Sequence, residues 1–167
     1  RFFIVVTART NGYPVRGAAT NNVTACYLSV YLMVKTEPRS DNIFNITQPD
    51  VYRCQVHHYH SRVSRLYLRV FKGQADQPVF YLLFSDVAYF ECPVNWQGAD
   101  FEIATHDDCI KLMLEAGLVG PAILRFPGAY ASLTDYTRLY VLQTAAKPVR
   151  IIAGSAAMLR ELPSDLL

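Results

Sequence analysis

Arg53, Arg62, Arg65, Arg69 and Lys72 lie in the run from Val51 to Ala75, which holds no carboxylate and carries three of the chain's four histidines, His57, His58 and His60. Guanidinium groups at this density grip carboxylates or phosphates through paired N–H donors. Tyr52, Tyr59, Tyr67 and Phe71 alternate with them. Arginine beside an aromatic ring is common at protein interfaces and also on surfaces that stack nucleic-acid bases. The group His57-His58-Tyr59-His60 is a candidate pH sensor, though a polar hairpin end explains the same residues more simply.

A second constellation has the chemistry of a metal site. Cys54-x-x-His57 and His106-x-x-Cys109 together offer two thiols and two imidazoles, the ligand set of tetrahedral zinc. On a regular strand Cys54 and His57 point to opposite faces, so they could ligate together only at a bulge or strand end, whereas a helix start lets His106 and Cys109 face one way. Buried cysteines with surface histidines are the simpler expectation, and zinc is an alternative. The chain has no Gly-x-Ser-x-Gly elbow, no phosphate-binding glycine loop and no His-Glu-x-x-His motif. No catalytic residue, cofactor or small-molecule substrate is therefore assigned, and a non-enzymatic domain is favoured.

The elements that must position these residues are mostly strands. Phe2 to Thr7 is a short apolar strand, Thr10 to Pro14 a turn, and Ala25 to Lys35 the strongest alternating strand. Glu37 to Asp50, with Pro38 and Pro49, reads as a loop with a short extended piece at Ile43 to Ile46. Val51 to Tyr59 and Arg65 to Lys72 form a hairpin. Strand parity sends Cys54, Val56 and His58, with Leu66, Leu68 and Val70, to the core. It gathers Arg53, Gln55, His57 and Tyr59, with Arg65, Tyr67, Arg69 and Phe71, on the other face as a basic and aromatic platform.

Val79 to Phe84 and Val87 to Cys92 follow as a long strand bent near Asp86, and Pro93 to Gly98 is a loop that exposes Trp96 or tucks it into the core. Phe101 to Ala104 is a short strand. Thr105 caps a helix whose Cys109, Leu112, Met113 and Ala116 recur at helical spacing and which Gly117 ends. Strands are expected at Ala122 to Phe126, Arg138 to Thr144 and Val149 to Ala153, and a last short helix at Ala156 to Leu162 behind Ser155. The class is α+β with β dominant: an antiparallel sheet or sandwich of about eight strands with one or two covering helices.

A chain of 167 residues with 51% hydrophobic content supports one globular domain, 1–167. Arg1 is not an initiator, so the domain is expected to be processed or excised from a larger protein. The longest apolar runs are too short for a membrane span. The net charge of +2 hides a division: residues 1–75 hold ten Lys or Arg against three acids, residues 76–167 six against eleven. Seven acids fall between Asp86 and Glu115 with only Lys111 to offset them, and they could neutralise the platform within the domain. The four cysteines (Cys26, Cys54, Cys92, Cys109) allow three disulfide pairings, and Asn22 and Asn45 open glycosylation sequons. Together these suit a secreted or viral surface glycoprotein as well as an intracellular one.

The expected function is protein interaction through Arg53, His57, Tyr59, Arg65, Tyr67, Arg69 and Phe71. An intracellular nucleic-acid-binding domain using the same face is the alternative, and a zinc-stabilised domain built on Cys54, His57, His106 and Cys109 a further one.

Overall fold

The computed structural model describes residues 3–7, 42–145 and 147–163. The turn at Thr10 to Pro14, the strand expected at Ala25 to Lys35, Asn22 and Cys26 lie outside the described residues. Ten strands and two α-helices follow one another among them: β1 (Phe3–Thr7), β2 (Tyr52–His60), β3 (Arg65–Lys72), β4 (Phe80–Ser85), β5 (Tyr89–Pro93), β6 (Asn95–Gln97), β7 (Glu102–Ile103), α1 (His106–Glu115), α2 (Pro127–Tyr136), β8 (Arg138–Leu142), β9 (Val149–Ala153) and β10 (Ser155–Leu159). The fold is α+β and dominated by strands. Among the described residues no helix is long and apolar enough to cross a membrane.

The strands form two antiparallel sheets of five, ordered β1-β5-β9-β8-β7 and β10-β4-β3-β2-β6. The inner faces meet in a shared core. Cys54, Leu66, Leu68, Val70, Leu82 and Phe84 of the second sheet pack against Phe90, Cys92, Tyr140, Leu142, Val149 and Ile151 of the first. Phe84 lies against Phe44, Phe101 and Tyr140 with ring centroids 6.1, 5.5 and 5.3 Å apart, edge-on or tilted arrangements favoured by the ring quadrupoles.

The outer face of the first sheet is covered by helix. Tyr89, Leu139, Val141 and Ile152 form a second apolar cluster with Cys109, Ile110, Leu112 and Met113 of α1. The Thr105 side chain accepts from the Asp108 backbone N–H at 3.2 Å, capping α1 as expected. At the other end Gly117 has φ +68°, and Leu118 N–H donates to Met113 O at 2.9 Å while Gly117 N–H donates to Leu114 O at 3.1 Å. That pair of bonds is a Schellman stop, which needs a left-handed residue and therefore favours glycine.

Two chain segments pass from one sheet to the other. β4 leaves the second sheet at Asp86 (φ 55°) and re-enters the first as β5, while β9 leaves the first at Gly154 and re-enters the second as β10. The two corners are bonded together: Gly154 N–H donates to Ser85 O at 3.0 Å and Ala88 N–H to Ile152 O at 2.9 Å. A Cβ on Gly154 would lie 3.2 Å from the Asp86 side chain and 3.3 Å from Tyr136 O, tighter than ordinary contact, so a larger residue needs these neighbours to move by a few tenths of an ångström.

Several elements differ from the expectations. Pro121–Arg125 is a 3-10 turn rather than a strand, and α2 follows it directly. Ser155–Leu159 is strand β10 paired with β4, not a helix, because its backbone completes the β4 edge. The expected loop around Trp96 contains β6, which pairs with β2 and buries the indole against Phe101.

Candidate functional site: the outer face of the second sheet

The register of β2 and β3 decides which side chains share the outer face. Arg53 opposes Phe71 and Gln55 opposes Arg69, with Cys54 and Val56 facing the core as parity requires. A bulge then intervenes. Val56 opposes Leu68, but the next pair is His58 with Tyr67, leaving His57 as the extra residue. Beyond the bulge every side chain has changed face.

The bulge corrects the expected platform in two places. Tyr59 opposes Leu66 and turns inward, its ring 5.3 Å from that of Phe90, and so leaves the platform for the core. His58 turns outward and is exposed. His60, opposite Arg65, joins the same face. The outer face therefore consists of Arg53, Gln55, His58 and His60 from β2 and Arg65, Tyr67, Arg69 and Phe71 from β3, flanked by Asn95 and Gln97 of β6 and by Tyr81 and Leu83 of β4.

The aromatic residues of the face are largely covered. Tyr67 is 3% exposed and Phe71 6%, and the Arg53 guanidinium carbon sits 4.6 Å above the Phe71 ring centroid, a cation–π contact. Arg69 is half-buried and its Nε is buried without a hydrogen-bond partner among the described residues. An unmet buried donor carries a desolvation penalty of about 1–3 kcal/mol that a bound acceptor would remove.

The acids from Asp86 to Glu115 do not neutralise this face by ion pairing. The one salt bridge among the described residues joins Arg150 to Glu91 on the opposite side of the sandwich, where Glu91 also accepts from Tyr89 Oη at 3.2 Å. Asp107 and Asp108 occupy the first turn of α1, and Asp107 accepts from Tyr130 Oη at 2.9 Å. Asp50, Asp100 and Glu102 line a depression of about 190 Å³ at the edge of β6. The acids thus sit at the β6 edge and on the first sheet and α1 rather than in ion pairs with the arginines of the outer face, which leaves the field of that face less cancelled than the net charge implies.

The four residues of the zinc alternative are not brought together. Cys54 is in the core between the sheets, His57 is the bulge residue of β2, and Cys109 is packed on the far side of the first sheet beside the α1 start that holds His106. Among the described residues no group of three or more His, Cys, Asp or Glu is placed to hold a metal. Burial pushes the thiols of Cys54 and Cys92 up to about 12 and that of Cys109 up to about 11, so all three stay protonated at neutral pH. The same three cysteines are free, which removes them from any disulfide framework. Asn45, at φ 52°, is exposed in the turn after Asn42.

Sequence parity missed His58 and His60 as members of the face. A β-bulge has no fixed residue signature, and the polar run His57-His58-Tyr59-His60 offers no apolar alternation from which a slip of one residue could be read. No protein-family model, curated protein or solved structure matches this chain.

Proposed function

We propose that this is a non-enzymatic protein-interaction domain that engages an acidic surface of a partner protein through the outer face of the second sheet. The observation that carries the reading is the set Arg53, Arg65 and Arg69 on one face, none with an ion-pair partner among the described residues. Partner carboxylates would replace water on the exposed ends of the guanidinium groups. The amides of Gln55, Asn95 and Gln97 beside them supply neutral donors and acceptors at the rim.

Burial of Tyr67 and Phe71 changes the role first expected of the rings. They support the arginines from below rather than lose surface to the partner, and they offer little open ring face for base stacking. The same burial disfavours the nucleic-acid alternative. Exposed Asn45 in its turn is compatible with a glycan and so with an extracellular or virion-surface setting, which intact mass before and after deglycosylation would decide.

The test is charge reversal. Arg65→Glu with Arg69→Glu should abolish capture of acidic partner proteins from the native source and leave the folded fraction intact. Retention of every partner by that variant would refute the assignment of the face. A salt titration separates partner classes, because phosphate-backbone binding weakens steeply with salt, more so than a discrete protein contact.

A further inference from the structure

The β2 bulge does more than exchange Tyr59 for His58. It places His58 and His60 on one face with ring centroids 5.9 Å apart, at the mouth of an open depression of about 280 Å³ lined by His58, Tyr59, His60, Ser61 and Arg62. His57, the bulge residue itself, has its ring 6.5 Å from that of His58. Arg65 stands opposite His60 across the hairpin and Tyr67 opposite His58, with Arg69 and Arg53 further along the same face. Among the described residues no carboxylate lines the depression.

We propose that this depression is an oxyanion site for a phosphoryl group, free or carried on a partner's side chain; the inference rests on the reading of the second sheet's outer face given above. Two imidazoles, the Ser61 hydroxyl and the Arg62 guanidinium supply N–H and O–H donors from both the strand and the turn. A phosphoryl group presents three terminal oxygens and nearly two negative charges at neutral pH, and it can use all of them, whereas a carboxylate offers two oxygens in one plane and a single charge. The cationic neighbours on each packed element (Arg62 of the turn, Arg65 and Arg69 of β3, Arg53 of β2) add to the attraction, and β4 and β6 bring Tyr81, Asn95 and Gln97 to this face; the acids next to it are Asp86, beside Val87 whose N–H donates to Ser64 O in the turn, and Asp50, whose carbonyl accepts from Gln97 at the far rim.

The experiment titrates the whole chain with inorganic phosphate and with sulfate at matched ionic strength, using chloride as the control. Histidine ring resonances and the phosphorus signal of the ligand are followed by NMR. The resonances of His58 and His60, identified by their loss in His58→Gln and His60→Gln, should shift saturably with either oxyanion and not with chloride. Arg62→Gln and the His58→Gln/His60→Gln pair should each weaken phosphate about tenfold, and His106→Gln, on α1, should leave it unchanged.

Shifts that grow linearly without saturating, that chloride reproduces, or that saturate at an unchanged phosphate concentration in Arg62→Gln overturn the site. A phosphoserine peptide that binds at least about tenfold more tightly than its glutamate counterpart places the phosphoryl group on a partner, and equal or weaker binding than inorganic phosphate makes it a free anion; both retain the oxyanion site. If phosphate fails to bind while acidic partners are still captured through Arg65 and Arg69, the depression alone is refuted and the protein-binding face stands.

Discussion

Replacing Tyr59 by alanine tests the bulge, and with it the composition of the whole face. Regular strand parity would put Tyr59 in solvent, where its removal changes stability by no more than about 0.5 kcal/mol. In the structure its ring is half-buried in the intersheet core, 5.3 Å from Phe90, which is 1% exposed. Truncating a fully buried aromatic costs about 3–5 kcal/mol, so half that loss together with an aromatic pair of about 1 kcal/mol predicts about 2.5–3.5 kcal/mol. His58→Ala, one residue earlier, should cost less than about 0.5 kcal/mol because that side chain is exposed.

Urea unfolding followed by fluorescence and circular dichroism measures both, with the slope of the transition checked for constancy so that the midpoint reports stability alone. A double-mutant cycle of Tyr59→Ala with Phe90→Ala should return a coupling of about 1 kcal/mol, since the two rings touch. If His58→Ala proves the costlier change, or Tyr59 and Phe90 are additive, the bulge is misplaced. The assignment of His58 and His60 to the outer face, and the oxyanion site built on them, would then fall.

Gly154→Ala should destabilise by about 1–3 kcal/mol, because the new methyl meets the Asp86 side chain at 3.2 Å and the Tyr136 carbonyl at 3.3 Å; thermal melts detect it, and a neutral result would mean that the corner yields freely. Thr105→Ala removes the α1 cap bond to Asp108 N–H and should cost about 1 kcal/mol, with faster amide exchange confined to the first turn of α1 as the local signature. The buried thiols make the fold sensitive to alkali. The folded-state values are raised from 9.0 to about 12, 12 and 11, so their contribution is complete below pH 9 and is lost as pH climbs from there, at up to about 1.4 kcal/mol per unit for each thiol. Cys54→Ala should flatten the fall in stability between pH 9 and 11 by about one proton's worth, and an unchanged slope would show that Cys54 does not stay protonated.

The parts of the fold legible in the sequence are those where local chemistry and tertiary packing agree. The β2–β3 hairpin, the Thr105 cap, the Gly117 stop and the bend at Asp86 each have a residue that does the work on its own. Ser155 to Leu162 is the opposite case. Ala156, Ala157, Met158 and Leu159 have high helix propensity, yet pairing with Tyr81 to Ser85 of β4 outweighs a preference of a few tenths of a kcal/mol per residue. α2 is not anticipated from the sequence: Gly128 lowers helix propensity in its first turn, although Pro127 is well placed at a helix start. For the face itself, residue types in the sequence identify the arginines, but only the three-dimensional arrangement separates them from the acids of the other half.

The two corners at Asp86 and Gly154 have a mechanical consequence. Because the same two chain segments thread both sheets and are bonded to each other where they cross, neither sheet can slide or peel away without breaking hydrogen bonds of the other. The sandwich has no hinge along this seam, so it should behave as one cooperative block, and amides of β4, β5 and β9 should exchange through a single, common opening event. A block of that kind does not part to admit a ligand between its layers. The face proposed for recognition, the outside of the second sheet and its hairpin, is by the same token held in fixed geometry before any partner arrives, with correspondingly little ordering entropy to lose on contact.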